Sequence, residues 1–365
     1  MADRPLRIAL VGATPGAGWG PRAHVPAYKA LPEVELLAVC TAHEESAQAA
    51  AREFGAPKHY SDYNAMLKDP DIDVVSVATR ILLHHPISKA ALEAGKHVYC
   101  EWPLCVTSTQ AGELTALAKQ RRLANITGLQ SRFAPPLLRM KELLDEGYVG
   151  KPLTFHLSMF GGGALAPRSS TSGFLARKDS GFGALSIAGG HTIDALCWLL
   201  GDVESLSAQV DSQIDEWTFP DTGQKVPVTS PDNGAFIARL ANGAVGTVQV
   251  SNTAMHGSGF RLDVHGFEGK ITATSPALIE LSLVTLRGAK SGEQEQEIPV
   301  PDRLIEVPGV DLGSAAYNIA QLFRGFVKAV RSGTDLSPNF ADGARMHRLL
   351  EAIDRSSETR SWVTP

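Results

Sequence analysis

Leu6-Arg-Ile-Ala-Leu-Val11, followed by Gly12-Ala-Thr-Pro-Gly-Ala-Gly-Trp-Gly20, is the stretch on which the reading of the fold turns. Its first half is a short apolar run of the length of a buried strand, and its second half is a glycine-rich turn. A turn of this kind directly after a strand lets the backbone approach a pyrophosphate, while the next helix offers free N–H groups and the positive end of its dipole. Gly12, Gly16, Gly18 and Gly20 are spaced more widely than in Gly-x-Gly-x-x-Gly, so the loop reads as lengthened. Gly12, Thr14, Gly16, Gly18 and Trp19 are the candidate cofactor-binding residues of this turn.

The next hundred residues support a nucleotide-binding reading. Helical His24–Leu31 precedes a second apolar run, Val34–Val39, and then Glu44–Phe54, a helix of strong formers stopped by Gly55. Val74–Ala78, a helix from Pro86 to Ala94, His97–Cys100 and a helix over Ser108–Arg121 continue the alternation. Short apolar strands alternating with helices indicate βαβ units and a parallel sheet covered on both faces, here a Rossmann-type domain over residues 1–125. A dinucleotide site usually places Asp or Glu at the end of the second strand for the ribose 2′-OH; this chain has Thr41 and His43 there, which leaves NAD or NADP open and leans slightly to NADP. His43 reads equally as an exposed loop residue.

The texture changes over residues 126–365. After helical Arg139–Glu146, the runs Leu153–Met159, Ser205–Val210, Ala235–Leu240, Ala244–Val250, Phe260–His265 and Ile279–Leu286 read as strands without intervening crossover helices, apart from helical Thr192–Leu200. Such a run of strands predicts an α+β domain with an open, mostly antiparallel sheet. Ile319, Leu322, Phe323, Phe326, Val327 and Val330 form the apolar stripe of a closing helix, and Met346–Ile353 begins another.

Composition narrows the function. Over 365 residues the net charge is −5, with 44% hydrophobic and 20% charged residues. These values exclude a disordered or collagen-like chain and provide no global field for nucleic acid or an acidic membrane surface. Cys40, Cys100, Cys105 and Cys197 form no Cys-x-x-Cys pair and have no metal-type histidine motif nearby. Free thiols in a reducing cytoplasm, with no metal site, are the expectation. No apolar run approaches the ~20 residues that span a bilayer, and the N-terminus does not read as a signal peptide.

Two further clusters carry chemistry: Gly95-Lys96-His97-Val98-Tyr-Cys-Glu101-Trp102-Pro103, and Gly181-Phe-Gly-Ala-Leu-Ser-Ile-Ala-Gly-Gly-His191-Thr-Ile-Asp194. With Gln130-x-Arg132-Phe133, Asp232-Asn233, Asn242-Gly243-Ala244, His265-Gly266-x-x-Gly269 and Pro338-x-Phe340-x-Asp342-Gly343, the chain resembles the Gfo/Idh/MocA oxidoreductases over nearly its whole length. The resemblance implies hydride transfer between NAD(P) and a sugar, sugar derivative or cyclic polyol. It also implies a dimer or tetramer formed through the free face of the second sheet. Thr79, Arg80 and His84 match the loop that lines the dinucleotide site, and Glu101 is expected both to line it and to act with Trp102 in shaping the catalytic site.

The family's catalytic residues carry over only in part. Its Glu-Lys-Pro lysine is replaced by Trp102, and the Asp one turn before its catalytic His by Ile187; His191 is retained as the acid/base. Lys178 reads either as a substitute cation or as a solvated loop lysine. Trp102 either stacks on a sugar ring or packs. Arg168 is a further substrate-binding candidate, and Asp194, one turn after His191, either orients the imidazole or accepts from the backbone. The Glu-Trp and Gly-His-x-Ile-Asp combination locally resembles the branch containing a fungal regulator of galactose and lactose metabolism. The alternatives to a dehydrogenase are therefore a non-catalytic, dinucleotide-dependent regulator, or a redox-neutral lyase or hydrolase that uses bound nicotinamide.

Overall fold

In the computed structural model, which describes residues 4–365, the opening apolar run is strand β1 (Leu6–Val11), with Ile8, Ala9 and Leu10 wholly buried. It leads through the glycine turn to a short π-helical turn, Gly20–His24, and helix α1 (Val25–Lys29). Then come β2 (Val34–Cys40), α2 (Glu44–Phe54), β3 (Lys58–Tyr60), α3 (Tyr63–Leu67) and β4 (Val74–Val77). The series closes with α4 (His84–Glu93), β5 (His97–Cys100), α5 (Ser108–Arg121) and β6 (Asn125–Thr127). All six strands are parallel in the order β3-β2-β1-β4-β5-β6, the doubly wound order whose reversal between β1 and β4 opens a crevice at the strands' carboxyl ends. β3 and β6 are three-residue pieces with too little apolar pattern to be read from sequence.

The chain divides into two compact units, Met1–Phe133 with Glu306–Arg345, and Ala134–Ile305 with Met346–Pro365. The sequence drew one continuous cut at residue 125. The segment that returns to the first unit contains the helix with the apolar stripe, whose Phe323 meets Tyr28 edge-on at 4.8 Å and lies 5.9 Å from Tyr99. Burying three aromatic rings together favours this placement by area and by ring geometry.

The second unit begins with α6 (Pro135–Asp145) and β7 (Pro152–Phe160), followed after a loop of short 3-10 turns by α7 (Gly190–Leu200). β8 (Val203–Asp211), β9 (Glu216–Thr218), β10 (Lys225–Pro227), β11 (Asn233–Leu240), β12 (Val245–Ser251), β13 (Gly259–Gly266), β14 (Gly269–Ser275), β15 (Thr285–Lys290) and β16 (Gln296–Glu297) complete its strands. Eight of them form one sheet in the order β16-β15-β14-β13-β7-β12-β11-β8, antiparallel except where β12 runs parallel to β7. Alternate residues such as Leu157, Val248, Leu262 and Ile271 are buried, while Thr247, Gln249 and Ile237 stand on an open face. α6 packs against β14 and β15, and α7 against β7. The closing helices are α8 (Tyr317–Ser332) and α9 (Phe340–Thr359).

Two local readings are corrected. Ile279–Leu286 is not a strand: its first part is a turn, with Leu281 N–H donating to Leu278 C=O, and pairing starts only at Thr285. The stretch Lys178–Leu200 is long and apolar enough to cross a membrane by length and composition, against the expectation that no stretch would be. Yet 83% of its apolar window is buried inside the protein, as in a core helix. The four cysteines are all buried and none is in a disulfide, and burial pushes the Cys40 and Cys105 thiols up to about 12.

Several carboxylates in the first unit are held ionised. Burial works against Asp69, but the Lys58 amine, the Asp71 N–H and the Tyr60 hydroxyl outweigh it and bring its pKa down to about 2. Asp73 beside Arg4 and Asp342 beside Arg132 are likewise held below the usual carboxylate range despite their burial. Because their folded pKa values lie below the unfolded ones, the stabilisation is complete above about pH 4 and is lost as pH falls through the folded values. Thermal unfolding followed by circular dichroism should therefore give a midpoint that drops steeply between about pH 4 and pH 2. Asp69→Asn should make that acid-dependent drop shallower.

Candidate active site

At the reversal of strand order, Gly12 adopts φ +96°, and a Cβ there would stand 2.3 Å from Ala78 O at the end of β4. A Cβ on Gly20 would stand 2.6 Å from Gly12 O. These two glycines seat the first helical turn against the strand ends, leaving between them an exposed loop that carries Thr14, Gly16 and Gly18. Gly16 and Gly18 have open space around them and positive φ. Trp19 is half-buried, with its indole N–H buried and without a partner and the Arg22 guanidinium 5.8 Å from its ring. Close backbone packing at Gly12 and Gly20, with an open, positive-φ loop between them at the carboxyl ends of β1 and β4, fits a dinucleotide pyrophosphate.

The other expected cofactor residues divide. Thr41 is buried at the end of β2, its hydroxyl donating to His43 O and lying 2.7 Å from Ser46 Oγ, so it closes the turn into α2. His43 is exposed at the N-cap of α2. Thr79 is half-buried, and its carbonyl lies 3.0 Å from His84 Nε2. His84 Nδ1 lies 2.7 Å from Pro103 O, and burial lowers the pKa of this histidine. The ring therefore ties the loop after β4 to the Glu101-Trp102-Pro103 turn, correcting its assignment to the cofactor surface.

Glu101 is corrected in the same way. It is 7% exposed, and its Oε1 accepts from His24 Nε2 at 2.6 Å and from the Tyr99 hydroxyl at 2.8 Å. The Tyr28 hydroxyl donates to Ser76 Oγ at 2.7 Å, and Ser76 Oγ lies 3.2 Å from His24 Nδ1. His24 Nδ1 also lies 2.8 Å from the Tyr28 hydroxyl, and because a carboxylate only accepts, Nε2 is the nitrogen that donates to Glu101. A Cβ on Gly128 would stand 2.5 Å from Glu101 Oε2. The carboxylate is thus a structural anchor of a buried network rather than a proton carrier for substrate. Lys96 of the same motif donates its Nζ protons to Asp69 O and Ile72 O, and Arg132 donates to Ser337 Oγ beside Asp342. Trp102 is 5% exposed, so packing is its main role.

The second unit holds the retained histidine. Ser230 Oγ donates to Phe182 O, and Ala184 N–H donates to Pro231 O, fixing the turn that leads into the π-helical turn Leu185–Gly189 and α7. The Asp232 carboxylate in turn accepts from the N–H groups of Gln213 and Ile214. His191 lies in the first turn of α7, 7% exposed. The sequence left it without an electrostatic partner. The structure places Glu280, from the turn after β14, with Oε1 3.3 Å from His191 Nδ1. Nothing in the strand-like reading of Ile279–Leu286 signalled this carboxylate. Asp194 is fully buried on the same helix.

Lys178 does not supply the missing cation. Its side chain is 51% exposed and its Nζ reaches Asp354 at 3.0 Å. Arg168 is better placed for a ligand. Its guanidinium stacks 4.4 Å from the Trp217 ring, burial pulls its pKa down, and it lines a shallow cleft with Phe182, Ser230, Asp232 and Asn252. The Arg168 Nε–H and the Trp217 indole N–H are buried there without hydrogen-bond partners among the described residues. Trp217 was not singled out from sequence, because a lone Trp in a three-residue strand carries no pattern. Among the described residues no cluster of three or more His, Cys, Asp or Glu is placed to hold a metal ion.

Comparison with known proteins places this geometry in a lineage. The family model described as "Oxidoreductase family, NAD-binding Rossmann fold" matches residues 6–128, and the "GFO/IDH/MocA C-terminal domain" matches residues 137–272. A levoglucosan dehydrogenase of Pseudarthrobacter phenanthrenivorans is 30% identical, over 98% of this chain and 97% of its own. A solved structure of levoglucosan dehydrogenase in complex with NADH and levoglucosan superimposes with a TM-score of 0.87 at 28% identity, over 99% of both chains. The galactose/lactose metabolism regulatory protein of Kluyveromyces lactis is 28% identical, over 80% of this chain and 69% of its own. With the strand order, the glycine cradle and both family segments in agreement, the chain belongs to the Gfo/Idh/MocA family of NAD-binding oxidoreductases.

Proposed function

We propose that this protein is an NAD-dependent dehydrogenase that oxidises a secondary hydroxyl of a sugar, sugar derivative or cyclic polyol, or reduces the corresponding ketone. The observation that carries this reading is the buried His191 in a chain aligned over 98% of its length with a sugar dehydrogenase. Bound NAD supplies the hydride acceptor. The remaining work falls to the chain's own side chains. Gly12 and Gly20 hold the pyrophosphate turn open, with the exposed Thr14 loop closing over it. His191 Nε2 takes the hydroxyl proton as the C–H bond is broken and returns it in the reverse direction. Arg168 and the Trp217 indole donate to substrate oxygens from the cleft, which suits a polyhydroxylated ligand with an apolar ring face. The second unit is thereby the substrate domain. Its open sheet face, where Ile237 is 48% exposed and Val245 38%, is the self-association surface. Four buried thiols outside any disulfide suit the cytoplasm.

A second reading, a non-catalytic regulator that binds dinucleotide and a protein partner, is favoured by Trp102 and Ile187 at the family's Lys and Asp positions and by the likeness to the Kluyveromyces regulatory protein. A panel of sugars, anhydrosugars and cyclic polyols assayed with NAD and NADP separates the two. Turnover with one class supports the dehydrogenase; tight NADH binding with no turnover of any compound supports the regulator.

Gly12→Val should abolish NADH binding measured by calorimetry, because its Cβ occupies the position facing Ala78 O; unchanged affinity would remove the cradle from the cofactor site. His191→Ala should lower kcat on the order of 10²–10⁴-fold while leaving NADH affinity nearly unchanged. A variant that kept full turnover would exclude His191 as the acid/base.

A further inference from the structure

Glu280 is a buried carboxylate that neither the family motifs nor the sequence pattern singles out. It lies in the turn between β14 and β15, 4% exposed, and its neighbour Ile279 is 2% exposed, so the turn is pressed into the unit rather than left in solvent. Its Oε1 stands 3.3 Å from His191 Nδ1, a nitrogen that is itself buried and closes no hydrogen bond among the described residues. The approach is an ion-pair contact at hydrogen-bond distance whose angle lies off the hydrogen-bond line.

We propose that Glu280 is the positioning residue of His191, replacing from a distant turn the acidic partner lost at Ile187. This rests on the reading of His191 as the acid/base. The carboxylate accepts the Nδ1–H, which fixes the tautomer with its lone pair on Nε2, the nitrogen available to a substrate hydroxyl. When Nε2 takes the hydroxyl proton, the ring becomes an imidazolium with a carboxylate already beside it. The positive charge is then generated in a buried place where it is compensated. Glu280 itself neither gains nor loses a proton in this step. The absence of any three-ligand cluster among the described residues separates the pair from a metal site.

The test uses the full-length protein in four forms: wild type, Glu280→Gln, Glu280→Asp and His191→Gln. With ¹⁵N-histidine labelling at pH 8, the signal assigned to His191 by its loss in His191→Gln should report Nδ1–H in the wild type. It should move toward the Nε2–H form in Glu280→Gln and return in Glu280→Asp. With a sugar substrate from the panel, Glu280→Gln should lower kcat on the order of 10²-fold with KM little changed, and Glu280→Asp should recover part of the loss. NADH affinity and the circular dichroism spectrum should match the wild type, which separates positioning from misfolding. A wild-type Nε2–H tautomer, or one that is the same in Glu280→Gln, overturns the proposal whether or not a substrate has been found. If His191→Gln abolishes turnover while Glu280→Gln preserves it, the dyad fails and the dehydrogenase stands. If His191→Gln retains turnover, the acid/base reading fails, and the tautomer measurement still decides the pairing.

Discussion

Position 12 admits nothing larger than glycine, and the first unit is arranged around that constraint. With φ at +96° and Ala78 O 2.3 Å from where a Cβ would be, the backbone leaving β1 passes against the end of β4. Only this approach lets Gly20 sit over Gly12 O and start the helical turn at the head of the sheet. The turn also sets His24. From the end of the Gly20–His24 turn, its imidazole reaches Glu101 after β5, and the Tyr28 hydroxyl one turn later reaches Ser76 in β4. One close backbone contact therefore aligns the glycine loop and three parallel strands through a buried polar network.

That network changes the meaning of the motif after β5. Glu101 is occupied by His24 and Tyr99, Lys96 by two backbone carbonyls, and His97 Nδ1 by the Ala124 N–H. The polar residues of this segment are mostly clamps that satisfy buried groups, each costly if left unpaired. Arg132 and Asp342 repeat the pattern: two motifs more than two hundred positions apart in sequence are the two ends of one contact, with Ser337 bridging them. Where the family lysine would stand, Trp102 is almost wholly buried and adds packing instead of charge.

In the second unit, buried polar side chains gather around one turn. The fixed turn at Phe182–Ala184 starts the long apolar helix bearing His191, and the same turn lines the cleft with Arg168 and Trp217. Arg168 stacked on Trp217 keeps its charge in a half-buried setting where burial disfavours it, and both side chains retain an unpaired N–H. Buried N–H donors of this kind are well served by hydroxyl oxygens.

The sequence alone carried the architecture, because period and punctuation are local. Apolar runs of strand length, helices closed by glycine, and a glycine turn after the first strand were enough to specify a parallel sheet, its cofactor edge and an antiparallel domain after it. It also placed His191 correctly at the head of α7. Local pattern could not specify partners. The return of α8 to the first unit depends on Phe323 meeting Tyr28 and Tyr99, and the anchoring of Glu101 depends on a histidine seventy-seven positions earlier. Lys178 looked like a free cation until the fold brought Asp354 to it, and Glu280 was hidden in a stretch whose apolar residues read as a strand. Side-chain chemistry is written residue by residue, but burial and proximity, which decide whether a charge is a clamp or a catalyst, arise only when the chain has closed on itself.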